Sequence, residues 1–156
     1  PPGSPRRTVV GWDSGRLAMV LAVLEAHTGF SLSSSDVFLN VAGGLRIGEP
    51  AADLAVAAAI VSSYSKRPVP EGSTVFGEIG LSGEVRPVPQ HAARLKEAAK
   101  LGFSQAIVPN VGGGRNGYEP APAEISLSRI ALIDELADLL ASPNETGFVG
   151  VSVGRT

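Results

Sequence analysis

Apolar residues in the first part of the chain change from strand-like to helix-like spacing. Arg7–Val10 alternates weakly and is predicted to form a first strand. Between Arg16 and His27, apolar side chains recur at helical intervals, at Leu17, Val20, Leu21 and Leu24. Asp13 or Ser14 is suited to cap the start of this helix, and Gly29 to end it. The pattern therefore predicts a strand followed by an amphipathic helix.

The next segment predicts a second strand and a helix of small residues. Asp36–Leu45 has strand-like alternation that ends in Gly43–Gly44, and Leu45–Ile47 is predicted to continue the sheet. Pro50 is well placed as the first residue of a helix that runs to about Tyr64, since proline lacks only an N–H that would have no partner there. The alanines of this helix allow close packing against its neighbours.

The second half of the chain predicts alternating strands and helices. Thr74–Ile79 and Gly83–Val88 are two strand candidates that Leu81-Ser82-Gly83 joins as a hairpin. The remaining predicted elements are a helix at Gln90–Leu101, a strand at Gln105–Pro109, a strand at Ser128–Ile133 and a helix at Asp134–Ala141. This order predicts an α/β fold.

Glycine- and proline-rich stretches suggest the limits of one domain. We expect a linker remnant at 1–6, a domain at 7–141 and a C-terminal tail at 142–156 for which disorder is the expectation. The loop Val111–Gly117, which carries Arg115, is predicted to be exposed and mobile. No Gly-Lys-Ser/Thr follows its glycines, so the sequence argues against a phosphate-binding P-loop there.

Composition restricts the class of protein without identifying a function. The chain is 44% hydrophobic and 18% charged, which suits one globular domain, and its net charge is −2. Any contact with DNA must therefore come from a local basic patch. The absence of cysteine fits a reducing cytoplasm, and no apolar run is long enough to cross a membrane. We expect a soluble cytoplasmic protein with no membrane partner.

Several sequence blocks, in matching order, resemble a known family. They are Ser4–Arg7, Gly15–Ala18, Asp36–Val41 with Gly43-Gly44, Glu49–Ala55, Phe76–Val88, Arg94–Phe103 and Ala106–Pro109. Over about residues 5–140 the chain resembles the Lon-protease-like C-terminal domains of the bacterial RadA (Sms) DNA-repair proteins. The resemblance implies an α/β Lon-protease-like fold (ribosomal protein S5 domain 2-like), with a mixed sheet packed with helices.

The wider Lon peptidase family implies a catalytic serine and lysine at two positions. The serine position falls on Ala51, and the lysine position falls near Ala92. A methyl group can neither attack a carbonyl nor transfer a proton, so the domain is expected to be a pseudo-peptidase and not an enzyme. The hypothesis of an active Ser–Lys peptidase remains open if the true dyad lies elsewhere.

Other polar residues are given structural interpretations. Ser62 and Ser63, with Lys66 just beyond them, are weak candidates for catalysis on a buried helix. His27 and His91 are far apart, and neither they nor Glu49 and Asp53 show the spacing of metal ligands. We expect Glu49 to cap a helix, Asp53 to make a polar contact, and the domain to hold no metal or cofactor.

Basic residues carry the main functional hypothesis. Arg6, Arg7, Arg16 and Arg46 are predicted to lie at strand ends and a helix start. If these meet at one edge of the fold, they form a compact patch that contacts DNA phosphates without reading bases. The competing interpretation is that these arginines are solvated or paired with the carboxylates of Asp13, Asp36 and Glu49.

The resemblance implies a scaffold function in recombinational DNA repair. It suggests a homo-hexameric ring in which the domain contacts DNA and supports a DNA-dependent ATPase that drives branch migration. The partners implied are DNA, further copies of the chain, a RadA ATPase domain in cis and the recombinase RecA. ATP, magnesium and a zinc finger belong to the N-terminal part of such proteins. The other alternative is a pure oligomerisation module that makes no DNA contact.

Overall fold

The computed structural model describes residues 3–111 and 121–141, which form seven strands and four helices. The strands are β1 Arg7–Val10, β2 Val37–Asn40, β3 Ser73–Val75, β4 Glu78–Ile79, β5 Val85–Arg86, β6 Gln105–Pro109 and β7 Ser126–Ile130. The helices are α1 Ser14–Thr28, α2 Asp53–Ser65, α3 His91–Lys100 and α4 Ile133–Ala141. Mixed α/β structure is therefore confirmed, and the more specific Lon-like assignment stays a prediction.

Local signals place the first strand and helix as predicted. β1 has the predicted bounds and pairs in parallel with β2, so that Thr8 lies beside Phe38. The Asp13 side chain accepts a hydrogen bond of 2.8 Å from the backbone N–H of Arg16, which caps the start of α1. Gly29 ends the helix in the left-handed conformation (φ 78°). Both capping predictions are confirmed.

The second strand is shorter than its alternating pattern predicts. β2 ends at Asn40, and a 3-10 turn follows at Ala42–Gly44. Gly43 and Gly44 have positive φ angles of 83° and 70°, which turn the chain out of the sheet. The expected strand Asp36–Leu45 and its continuation through Ile47 are therefore wrong beyond Asn40.

The larger sheet is parallel and has β6 as its central strand. β3 and β7 flank β6, and both pair with it in parallel. Residues of β6 alternate between two apolar clusters, since Ile107 belongs to one and Ala106 and Val108 to the other. α2 and α4 contribute to the first cluster, and α3 contributes to the second, so this sheet is covered on both faces.

The expected single mixed sheet is replaced by three hydrogen-bonded sheets. The predicted strand Thr74–Ile79 divides at Phe76–Gly77, because its first half pairs with β6 and its second half with β5. The hairpin of β4 and β5 is confirmed. The predicted strand Ser128–Ile133 lies earlier, as β7, and α4 begins at Ile133.

Some predictions fall on other parts of the chain. The glycine-rich loop with Arg115 and the tail 142–156 lie outside the described residues, as do the first two residues of the expected linker. Over residues 3–111 and 121–141, the helices are too short or too polar for a membrane crossing.

Gly11 is expected to tolerate substitution less well than Gly43, although both have positive φ angles of 85° and 83°. A Cβ on Gly11 would lie 2.5 Å from the carbonyl oxygen of Leu45, whereas one on Gly43 would meet nothing within 4 Å. Gly43→Ala should cost about 1 kcal/mol for its backbone conformation, and Gly11→Ala about 3 kcal/mol because the clash adds to it. Equal unfolding free energies for the two variants in urea titrations would contradict this prediction.

Candidate functional site

Ala51, at the inferred serine position, lies inside the apolar core. It belongs to the 3-10 turn Pro50–Ala52 that precedes α2 and is 5% exposed. Its cluster includes Phe76, Val88 and Leu95. The carbonyl oxygen of Ala51 accepts a hydrogen bond of 2.9 Å from the N–H of Gly77, which fixes this turn against the segment before β4. The Ala51 methyl group is thus a packing element.

Ala92, at the inferred lysine position, is the second residue of α3 and is partly exposed. Beside it, His91 meets the ring of Phe76 edge-on, with 5.3 Å between ring centroids. Burial, and secondarily the positive charge of Arg129, lowers the pKa of His91. A neutral imidazole against an aromatic ring is consistent with packing.

Glu49 does not cap a helix, contrary to expectation. It precedes the turn at Pro50, and its side chain makes no capping hydrogen bond. Instead, its carboxylate accepts a hydrogen bond from the Arg94 guanidinium, whose Nε also donates to the Pro89 carbonyl at 2.9 Å. A cap requires the side chain to reach back to nearby N–H groups, and here the arginine of α3 holds the side chain away.

Asp53 is the most deeply buried charged group in the described part of the chain, with a side-chain exposure of 0%. Its carboxylate accepts two hydrogen bonds from Arg16, one of them from Nε at 2.7 Å, and a third of 3.1 Å from the backbone N–H of Ile79. The hydrogen bond to Asp53 raises the pKa of Arg16. Burial acts against this rise, and the negative charge of Asp53 adds to it. The predicted polar contact of Asp53 is confirmed.

Arg16 therefore serves the interior rather than the surface. Its side chain is 30% exposed, and both of the nitrogens that bond to Asp53 face a fully buried carboxylate. A bidentate guanidinium–carboxylate pair has fixed geometry, and the negative charge of Asp53 offsets the positive charge of Arg16, which weakens the attraction of Arg16 for a phosphate. The sequence-based role of Arg16 as a DNA contact is not supported by this position.

Arg6 and Arg7 lie where β1 begins. The backbone N–H of Arg6 donates to Asp36 at 2.7 Å, and the two side chains form an exposed ion pair of 3.5 Å. The hydrogen bond from the Arg6 N–H is the main cause that lowers the pKa of Asp36, and the positive charge of Arg6 lowers it further. The guanidinium of Arg7 donates to the carbonyl oxygens of Leu32, at 2.9 Å, and Ser35, and Arg7 remains exposed.

Arg46 lies near the opposite end of β1. Its neighbour Ile47 donates to the carbonyl of Gly11, which directly follows β1, at 2.8 Å. Arg46 is exposed, and its guanidinium makes no ion pair within 3–111 and 121–141. Because a four-residue strand spans about 13 Å, Arg46 lies a strand length away from Arg6 and Arg7. The condition for one compact patch is therefore not met, and DNA contact by these arginines stays a prediction.

Sequence reasoning missed an aromatic pair beside further basic residues. Phe30, just after α1, stacks on Tyr64 near the end of α2, with 4.4 Å between centroids and 21° between ring planes. Tyr64 is 45% exposed, and the exposed residues Lys66 and Arg67 follow it. Phe30 and Tyr64 are 34 residues apart in the sequence, so no local pattern reveals the pair. The Tyr-x-Lys-Arg run was the one signal that pointed towards it.

The other catalytic and histidine candidates differ in burial and in their surroundings. Ser62 is 7% exposed within α2, while Ser63 is exposed. The His27 ring packs against the hairpin turn at Gly83. A Cβ atom added to Gly83 would lie 3.0 Å from the ring. No group of three acidic or histidine side chains suited to a metal occurs in the described ranges.

Breaking the Arg16–Asp53 pair should destabilise the fold strongly. Arg16→Met should cost about 3 kcal/mol, because it leaves a fully buried carboxylate with the Ile79 N–H as its remaining donor. The matched control Arg6→Met removes a surface pair with Asp36 and should leave the free energy of unfolding nearly unchanged, because water screens that pair. Similar free energies of unfolding for these variants would show that the buried pair is not a major contributor.

Comparison with known proteins identifies the family. A family model described as subunit ChlI of Mg-chelatase matches residues 13–111. The DNA repair protein RadA of Brucella abortus is 63% identical over 111 residues, 71% of this chain and 24% of that protein. That of Pseudomonas aeruginosa is 50% identical over 137 residues, 88% of this chain and 29% of that protein. The chain spans about a quarter of the length of these relatives. Because the family model covers most of its residues, the chain belongs to the family of subunit ChlI of Mg-chelatase.

Proposed function

We propose that the chain is a non-catalytic Lon-like scaffold and oligomerisation domain that contacts DNA in DNA repair. The shared name of its relatives supports the DNA-repair role, since DNA repair protein RadA recurs at 50% and 63% identity. In this proposal, the domain supports a RadA-type ATPase domain in cis during branch migration. ATP, magnesium and zinc would act in that other part of the protein, and RecA would be a further partner.

The burial of Ala51 is the observation that carries the non-catalytic part of the proposal. A nucleophile must be reachable by substrate and lie within hydrogen-bond distance of a base. Ala51 is 5% exposed and packs with Phe76 and Val88, and Ala92 carries no amine. A turn that is so filled with apolar atoms favours a role in packing over a role in peptide hydrolysis.

The proposed DNA contact is revised by the arginine geometry. Arg6, Arg7 and Arg46 remain as candidate phosphate contacts, and Arg16 is assigned to the interior. The three lie towards both ends of the β1–β2 sheet, so we propose an extended contact along a DNA backbone. Copies of the chain in a hexameric ring would align such surfaces around one axis.

Neither the wild-type chain nor Ala51→Ser is expected to show peptidase activity. The new hydroxyl would lie among apolar side chains, and no lysine would stand at position 92 to accept its proton. A fluorophosphonate probe and casein cleavage measure this, with an active Lon-type peptidase as the positive control. Labelling of the wild-type chain would favour the active-peptidase alternative.

Arg6→Gln combined with Arg46→Gln should weaken DNA binding uniformly across sequences. Each lost phosphate contact should reduce the slope of log affinity against log salt by about 0.9 for duplex DNA. Lys100→Gln, at an exposed position in the last turn of α3, is the charge-matched control. Unchanged affinity and slope would exclude these contacts, and sedimentation showing assembly without any DNA shift would favour a pure oligomerisation module.

A further inference from the structure

One end of the molecule combines exposed aromatic and basic side chains. β1 begins there, and α1 and α2 both end there. We call it the aromatic–cation end and define it by Arg7, Phe30, Tyr64, Lys66 and Arg67. Phe30 covers one face of the Tyr64 ring, while 45% of the surface of Tyr64 stays exposed. Arg7, Lys66 and Arg67 are also exposed.

One loop, residues 31–35, joins the members of this end. The backbone N–H of Ser31 donates to the hydroxyl of Tyr64 at 3.3 Å. The Arg7 guanidinium donates to the carbonyl oxygens of Leu32, at 2.9 Å, and Ser35 on the same loop. Because both side chains bond to these few residues, a cation and an exposed ring are held near each other by the fold.

The neighbouring carboxylates are already engaged. Asp36 accepts from the backbone and pairs with the side chain of Arg6. Glu25 accepts hydrogen bonds from Leu32 N–H and from the N–H and hydroxyl of Ser33, and these bonds lower its pKa. Lys66 and Arg67 make no ion pair within the parts of the chain that the structure describes. Glu25 and Asp36 keep their negative charges, and both interact electrostatically with Arg7. The positive charge beside the exposed ring therefore comes mainly from Lys66 and Arg67.

The backbone of Lys66 gives a second reason to assign its side chain a role. Lys66 ends α2 in the left-handed conformation, with φ 54° and ψ 37°. Glycine occupies this position most often, because a side chain there is strained. Lys66 places a cation directly after the stacked pair of Phe30 and Tyr64. Its side chain makes this backbone conformation less favourable than it would be for glycine.

We propose that the aromatic–cation end binds single-stranded nucleic acid. A base would stack on the uncovered face of Tyr64, and Arg7, Lys66 and Arg67 would contact the adjoining phosphates. A duplex keeps its bases stacked on each other, so a solvent-facing ring suits an unpaired strand. The inference rests on the proposed DNA contact, with which it shares Arg7. It extends that contact to single strands and to Tyr64, Lys66 and Arg67.

The role of the ring is tested by Tyr64→Leu, with Tyr64→Phe as the matched control. Loss of one stacked base should lower the affinity for a fluorescent oligo-dT strand by about five- to a hundredfold. Affinity for a hairpin duplex should change by less than about twofold, because its bases do not reach the ring. Tyr64→Phe keeps the stacking surface and should bind oligo-dT like the wild type, in fluorescence anisotropy.

The role of the cation is tested by Lys66→Gly, which removes the charge and the backbone strain together. Binding to oligo-dT should weaken, and the salt slope should fall by about 0.7 for one lost phosphate contact on a single strand. The thermal unfolding temperature should hold or rise, since glycine suits the conformation at residue 66. Lys100→Gln should change neither the affinity nor the slope.

The outcomes separate this inference from the proposed function. If Tyr64→Leu and Lys66→Gly bind oligo-dT like the wild type, while the Arg6/Arg46 double variant loses duplex binding, this inference alone is wrong. If the wild type binds neither oligonucleotide, both are wrong. Sedimentation with phosphatidylserine vesicles tests another anionic partner, and binding to vesicles without binding to oligo-dT would also overturn the inference.

Discussion

The buried carboxylate of Asp53 is the constraint on which the arrangement of the first half depends. A charge with no exposure to water requires nearby donors, and Asp53 has the guanidinium of Arg16 and the N–H of Ile79. These partners belong to α1 and β4, so one side chain joins the starts of two helices to the hairpin strand. Since Arg16 is still 30% exposed, the pair avoids part of the cost of complete burial.

The same short segment serves two apolar cores. Ala51 packs into the cluster shared with α3, and Leu54 packs into the one shared with α1 and α4. The Leu54 N–H donates to the Gly77 carbonyl at 3.0 Å, and the Gly77 N–H donates to Ala51, so the backbone at this turn is held from both sides. A catalytic serine needs an accessible position, whereas this turn is fixed by packing and hydrogen bonds. The packing and hydrogen bonds that hold this turn in place therefore also oppose access of a substrate to position 51.

Local chemistry was enough to predict many elements of the fold. The Asp13 and Gly29 caps, β1 and β6 follow from capping residues, glycine and short apolar runs, which act through near neighbours in the sequence. Gly43 and Gly44 marked a turn that the structure contains. Alternation still extended β2 too far, because its pairing with β1 stops at Asn40, opposite Val10 where β1 ends. β3 and β4 were merged because their separation depends on which partner strand each one meets.

The candidate site was less predictable, because its contacts join distant positions. The sequence offered Asp13, Asp36 and Glu49 as arginine partners, and Asp36 does pair with Arg6. The partner of Arg16 was missed, because Asp53 lies 37 residues away. The resemblance was enough to propose Ala51 and Ala92 as the dyad positions. The apolar cluster around Ala51 could not be predicted, because its members come from distant parts of the sequence.

Exposed cations lie at both ends of the β1–β2 sheet, and the net charge of the chain gave no sign of them. Arg6 and Arg7 lie where β1 begins, together with Lys66 and Arg67, while Arg46 lies beyond its other end. A net charge of −2 averages over these regions and over carboxylates that are paired with arginines, such as Asp53. A phosphate backbone responds to exposed cations within about a Debye length, roughly 10 Å, and not to the sum over the chain. The distribution of exposed cations, rather than the net charge of the chain, is therefore the property that governs whether this surface attracts nucleic acid.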